Sequence, residues 1–472
     1  MLLVGADPVY CADELRSPMY LAYSFLLTLG FLVLLPRFIF DAFSHGKYVA
    51  GFRERRGSLS GTGNKKRPVI WLHCVSVGET QAARPLVQRL RKQFPQYGIV
   101  VSTITLTGQK LARDVFKDEA DTVFYFPFDW AWAVRRTLAK ISPVAVLIME
   151  TELWPNFLRE CKVNQIPVAL VNGRISRQSF RRYRLIKPFF KRVLSCVSLA
   201  VMQTGADAER MRTLGFPQEK LFTSGNLKFD SEAMPGATTA TANLRERFNL
   251  VEGGAPLILA ASTHGPEEKI MLECLQQIRT GPESSARLML APRHPERFPE
   301  VASLLQSSGL SWTKRTNPAK PSDSLCDVIL LDTIGELPAA YSLAAIVFVG
   351  GSIVNKGGHN VLEPAAAGAC VVTGAYTDNF EAIVNLLNEY SVLIQLPPLQ
   401  DGDAARKLAE VFSDLLLKPE LRKEMGNRAK QLVADNRGAA DRTIELIAPL
   451  LFKSPAVSSG LDPLLAKNAH TS

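Results

Sequence analysis

His73-Cys-Val-Ser-Val-Gly-Glu79-Thr80 and Met149-Glu150-Thr-Glu152-Leu-Trp-Pro-Asn156 are the two stretches whose reading decides the fold. Each follows an apolar run that reads as a buried strand: Val69–Val75 before the first, Val144–Met149 before the second. Continuous apolar runs of this kind suit strands buried on both faces, as in parallel sheets covered by helices. Each run ends in acidic residues beside the start of a helix. In open parallel α/β sheets the carboxyl edge of the strands is where ligands bind. Two carboxylates delivered there favour chemistry over packing, and Glu79 is the leading candidate for it.

Outward from these stretches, strands alternate with amphipathic helices. Glu79–Phe94 places Ala82, Ala83, Leu86, Val87 and Leu90 on one helix face. Ile99–Thr103, Thr122–Phe126, Val168–Val171 and Leu199–Gln203 read as further strands of the same set. The series stops near Asp230, and Ser231–Thr241 has the Ala, Thr, Gly and Pro content of a connection. A second series follows at Leu257–Ala261, Arg287–Ala291, Val328–Leu331, Ile346–Val349, Cys370–Thr373 and Val392–Gln395. Alternation of this kind implies βαβ units and parallel sheets, here in two Rossmann-like halves facing a cleft. Helices are expected around 404–417, 419–434 and 440–451, and Lys453–Ser472 reads as a loose polar tail. The predicted division is 1–45 for an N-terminal extension and anchor, 46–231 and 232–452 for the two domains, and 453–472 for the tail.

A chain of 472 residues is too long for one core, and with 47% hydrophobic and 21% charged residues it is neither disordered nor a multi-span membrane protein. Its seven cysteines are scattered without a C-x-x-C pair, which excludes a disulfide framework or zinc finger and fits a reducing compartment. The six histidines show no metal-ligand spacing, so no metal site is expected among them, and no cofactor is expected. A net charge of +10 points to anionic partners.

One segment, Met19–Leu35, is uncharged over 17 residues. It reads as a membrane anchor or in-plane helix, with a helix packed on the protein as the alternative. Asp7, Asp13 and Glu14 precede it, whereas Arg37, Lys47, Arg53, Arg55, Arg56, Lys65, Lys66 and Arg67 follow. That bias places everything after residue 37 on the cytoplasmic side. Ser58–Lys66 reads as a linker into the first domain. A second basic feature, Arg174 to Arg192, holds eight cations in 19 residues without one acid, interleaved with Tyr183, Phe189 and Phe190. It suits an anionic membrane surface or the phosphates of an acceptor. No nucleic-acid motif accompanies it, so nucleic acid is not expected as a partner.

In the second half, Val349-Gly-Gly-Ser352 leads through Lys356-Gly-Gly-His-Asn360 to Val361-Leu-Glu363-Pro. Small residues before a helix would let backbone amides approach a phosphate, and a first-turn Glu would suit a ribose diol. There is no G-x-G-x-x-G after an early strand and no Walker A sequence, which weakens dehydrogenase and P-loop readings.

The motifs HCVSVGE, METELWPN, SGNLKFD (224–230), STHGPEE (262–268), APRHPERFP (291–299), DTIGEL (332–337) and GGSIVNKGGHNVLEP (350–364) occur in order along the chain. Together they resemble the 3-deoxy-D-manno-octulosonic acid (Kdo) transferases, from about residue 19 to 450. The resemblance implies a GT-B glycosyltransferase fold and inverting transfer of Kdo from CMP-Kdo to a lipid A precursor, lipid IVA. It places the enzyme at the inner membrane, its catalytic domains on the cytoplasmic face, without a metal. It assigns the general base to Glu79, a role in the transition state to Glu150, and a counter-charge to Lys228. It assigns CMP contacts to Pro292, Arg293, Ile334, Gly335, Glu336, Asn360, Val361, Leu362 and Glu363. His264 and His294 are left as structural or ribose contacts. Val361 stands where the family usually has Pro, and Asn172-Gly-Arg-Ile175 replaces a usual Asn-Ala-Arg-Leu. Two other readings stay open: another GT-B enzyme or epimerase acting on a UDP-sugar, or a membrane-tethered nucleotide-binding regulator.

Overall fold

A computed structural model describes residues 18–45, 51–59, 67–230, 237–251, 253–282, 284–399 and 402–452. The expected tail 453–472, the first 17 residues, most of the linker Ser58–Lys66 and the first part of the connection Ser231–Thr241 lie outside them. The chain divides into two compact units, Met1–Ser231 with Arg437–Ser472, and Glu232–Asn436.

The first unit holds strands β1 (Val69–His73), β2 (Gly98–Thr103), β3 (Thr122–Tyr125), β4 (Pro143–Met149), β5 (Val168–Gly173), β6 (Leu199–Met202) and β7 (Leu221–Thr223). They form one sheet in the order β3-β2-β1-β4-β5-β6-β7, every pairing parallel. Strand alternation sends Trp71 to one face, against Phe124, Phe126 and Phe157. It sends Ile70 and Leu72 to the other, against Leu86, Val87 and Leu90 of the helix Val77–Gln93. Ala440, Ile444, Ile447 and Leu451, from the helix Ala439–Phe452, complete this second face. That helix therefore belongs with the first unit, not with the second, where the domain limits read from sequence had put it. Asp230 fixes it there, accepting from the Gly438 and Ala440 amides at 2.6 Å each.

The second unit holds β8 (Leu257–Thr263), β9 (Arg287–Pro292), β10 (Trp312–Lys314), β11 (Val328–Leu330), β12 (Ile346–Val349), β13 (Val371–Thr373) and β14 (Leu393–Gln395). The order is β10-β11-β9-β8-β12-β13-β14, again all parallel. Strand order reverses between β8 and β12, and such a switch point opens a crevice at the carboxyl edge.

The helix Pro18–His45 runs unbroken through Pro36. Its segment Pro18–Arg37 is, among the described residues, the one stretch long and apolar enough to cross a membrane, with a mean hydropathy of 1.9. Leu21, Phe25, Leu26, Leu32 and Val33 are exposed, whereas Tyr20 is buried. The opposite face docks on the first unit through polar side chains. The Tyr23 hydroxyl donates to Asp129 at 2.9 Å, and the Trp130 indole donates to Thr28 at 3.2 Å. Phe31 meets Trp130 edge to face at 5.1 Å.

Candidate active site

Glu79 owes its position to a helix start. Ser76 is the N-cap of Val77–Gln93, its hydroxyl oxygen accepting from the Glu79 amide at 3.4 Å. In return the Glu79 carboxylate accepts from the Val75 amide at 2.8 Å and from the Ser76 hydroxyl at 3.0 Å. This reciprocal arrangement is a capping box displaced by one residue. The helix dipole leads one to expect a readily ionised acid, yet burial and the neighbouring Glu150 push Glu79 up to about 8. The side chain is 6% exposed, and desolvation outweighs the two hydrogen bonds that favour the ionised form.

Glu150 follows β4 with φ of 54°, a left-handed conformation that non-glycine residues seldom adopt. Its amide donates to Val171 of β5 at 2.9 Å, which holds the turn against the sheet. Glu152 is raised by burial and by Glu150, so three carboxylates repel one another at this edge. Lys228 supplies an opposing charge. Burial lowers its pKa, as does Arg174, while Glu150 and Glu79 oppose the shift. Asn172, also left-handed at φ 55°, accepts from the Leu227 amide at 3.0 Å and so ties the Lys228 turn to β5. The structure thus brings Glu79, Glu150 and Lys228 to one sheet edge.

The predicted donor residues gather at the carboxyl edge of the second sheet, in three groups. Pro292 ends β9, and exposed Arg293 donates its amide to Thr263 of β8 at 3.0 Å. In the loop after β11, Ile334 is 83% exposed and Gly335 has a φ of 89°. Glu336 accepts from Arg315 at 2.9 Å and from Thr333 at 2.6 Å. Glu336 and Arg315, with Asn243, Arg247 and Asn317, line a polar cavity of about 650 Å³. In the loop after β12, Asn360 bridges the Leu362 amide and Glu363, at 3.0 and 2.9 Å. Tyr341, which sequence reading missed, donates to Glu363 at 3.3 Å. Val361 and Leu362 are buried beneath.

The glycine-rich loop Val349–Ser352 does not offer its amides to a phosphate as expected. Those of Gly351, Ser352 and Ile353 donate to Glu267 at 2.8, 3.0 and 3.0 Å. Glu267 is fully buried and also accepts from the His264 amide at 3.0 Å. In sequence it reads as an ordinary first-turn acid, and only the fold places it against a loop more than eighty residues away. Among the described residues no group of three or more His, Cys, Asp or Glu side chains is placed to hold a metal ion.

Two parallel seven-stranded sheets, one with a buried acid at its carboxyl edge and the other with a polar pocket, define the GT-B fold. Solved structures share this fold: UDP-GlcNAc 2-epimerase of Neisseria meningitidis (TM-score 0.51, 14% identity, 81% of this chain and 100% of that one). MurG of Acinetobacter baumannii is similar too (TM-score 0.52, 12% identity, 81% and 99%). Residues 50–231 match the family model described as 3-deoxy-D-manno-octulosonic-acid transferase. The 3-deoxy-D-manno-octulosonic acid transferase of Haemophilus influenzae is 35% identical over 410 residues, 86% of this chain and 93% of that protein. The Bordetella pertussis enzyme of the same name is 31% identical over 386 residues, covering 80% and 86%. The chain belongs to the Kdo transferase family and is a glycosyltransferase.

Proposed function

We propose that the protein moves Kdo from CMP-Kdo to a lipid A precursor, lipid IVA, at the cytoplasmic face of the inner membrane. The observation that carries this reading is Glu79, a buried acid whose carboxylate is fixed by two hydrogen bonds at a strand edge. As the acceptor oxygen bonds to the anomeric carbon of Kdo, its proton passes to Glu79. The bond from that carbon to the CMP phosphate oxygen breaks on the opposite face, with inversion. Lys228 offsets negative charge on the carboxylate or the departing phosphate, and Glu150 orients the acceptor. The second unit holds the donor: Arg293 and the loops Ile334–Glu336 and Asn360–Glu363 take the nucleotide. A base is worth roughly 10²- to 10⁴-fold in such a step.

The test is to incubate the purified full chain with CMP-Kdo and lipid IVA and weigh the lipid by mass spectrometry. A product heavier by one or more Kdo units is expected. No product, together with tighter binding of UDP than of CMP, would favour an enzyme acting on a UDP-sugar.

A further inference from the structure

Three of the six histidines of the chain meet at the carboxyl edge of the second sheet. His264 follows β8, His294 follows β9 and His359 lies in the loop after β12, so they flank the point where strand order reverses. The Nε2 atoms of His264 and His359 are 2.8 Å apart and their rings stack at 5.1 Å. His294 stands edge-on to His264 at 5.2 Å. A contact between two imidazole nitrogens needs one N–H and one lone pair, so the pair shares a single proton there.

The fold builds this pair deliberately. The Glu267 carboxylate binds the backbone of both loops, through His264 on one side and Gly351 to Ile353 on the other. Gly358, next to His359, donates back to Gly351 at 2.9 Å. Gly351 has φ 68°, which favours glycine, and a Cβ there would lie 3.0 Å from the His359 ring and crowd the pair.

The charges around the pair are mostly positive. Arg293 on the β9 loop faces His359, and Lys356 on the β12 loop faces His264. Arg297 also acts on His264, but its charge is largely answered by Glu268 at 2.6 Å and Glu300 at 2.8 Å. Glu268 is the acid whose charge favours protonated His264, while Glu267 already accepts four amides. Burial first, then Arg293 and the other two imidazoles, hold His359 down at about 4, and burial also lowers His264. Both rings are therefore neutral at pH 7. An anion entering among them reverses that balance, because an opposite charge favours the protonated ring.

We propose that His264 and His359 are an anion-binding pair that takes up a proton as the negatively charged part of the donor, phosphate or sugar carboxylate, enters the second unit. The proposal rests on the donor-site reading above. It makes donor affinity fall as pH rises, by up to about tenfold per pH unit where one full proton is taken up.

The probe is the methyl ester of CMP, a phosphodiester whose own charge stays constant between pH 5.5 and 8.5. Its affinity for the full chain is measured by calorimetry across that range, in buffers of different ionisation enthalpy. Weaker binding at higher pH with net proton uptake is expected. His359→Gln and His264→Gln, each checked for an unchanged melting profile, should bind with little pH dependence. Uptake seen with the ester alone assigns the phosphate; uptake that appears only when Kdo is added assigns the carboxylate. Equal affinity and no uptake across the range, with and without Kdo, overturns the pair but leaves the donor site standing. An unaltered pH dependence in both folded variants does the same. Absence of ester binding at every pH overturns the donor-site reading and this inference together.

Discussion

Glu79 performs two tasks with one carboxylate. It completes the cap of its own helix, which any first-turn acid can do, and it is held in a desolvated pocket beside Glu150, which caps do not need. Its folded pKa of about 8 lies above the ordinary carboxyl value of 4.5. The neutral form is therefore favoured by folding: stability from this group is present below pH 4.5 and lost as pH rises through about 8. Function needs the opposite, since a base works ionised. The acidic limb of kcat/KM is expected near pH 8 instead of near 4.5. Glu79→Gln should lower turnover by roughly 10²-fold or more while retaining CMP binding. The same variant should melt higher than the native chain at pH 9, with the difference shrinking toward pH 5. Near-normal turnover by the folded variant, or an acidic limb near pH 4.5, would remove Glu79 from the role of base.

At the scale of elements, twelve of the fourteen strands among the described residues were legible because most of them are buried apolar runs. The two that escaped, β7 (Leu221–Thr223) and β10 (Trp312–Lys314), are three-residue edge strands. Phe222 and Thr223 are exposed, so no apolar run announces β7. Glu79 and Glu150 were equally plain, since each lies just past a legible strand; Lys228 was marked only by the resemblance of its motif, because the strand before it, β7, is one of the two that escaped. Glu267, Tyr341 and Asp129 were not, because their partners lie far along the chain and a single sequence holds no trace of such pairings. Asp129 shows what is lost. Fully buried, it accepts from the Asn156 and Phe157 amides at 3.1 and 2.7 Å, capping the helix Pro155–Val163 from outside. It also accepts from Tyr23 and so holds the N-terminal helix to the first unit. Burial raises it to about 7. Asp129→Ala leaves these donors without their acceptor, at a cost of about 2 to 4 kcal/mol. Urea unfolding should register that loss, and protease should cut the segment 18–37 faster. A change below about 0.5 kcal/mol, the scale of an ordinary surface substitution, would show that the network contributes little.

For the whole molecule, the proposed attachment to a membrane draws on two different kinds of surface. The helix Pro18–His45 exposes Leu21, Phe25, Leu26, Leu32 and Val33 while its polar side chains face protein. Apolar area of this kind contributes roughly 25 cal/mol per Å² removed from water and is not screened by salt. The basic run forms two short helices, Arg177–Leu185 and Lys187–Leu194. The first buries no residue, Leu185 at its end is 85% exposed, and the second packs Phe190, Val193 and Leu194 into the core. Such a surface binds anionic lipid mainly by charge, which salt screens over about 10 Å at 0.1 M. The two should fail differently. A shortened chain starting at Lys47 should leave the membrane fraction for the most part, and its residual binding to vesicles containing anionic lipid should vanish as salt rises. Replacing Arg177, Arg181, Arg182 and Arg184 with Gln in that shortened chain should remove the residue of binding at low salt. In the full chain the same four changes should raise the apparent KM for the lipid acceptor and leave CMP affinity unchanged. If the shortened chain stays bound to vesicles at high salt, the tether is not the N-terminal helix, and the exposed Leu185–Ile186 turn becomes the next segment to replace.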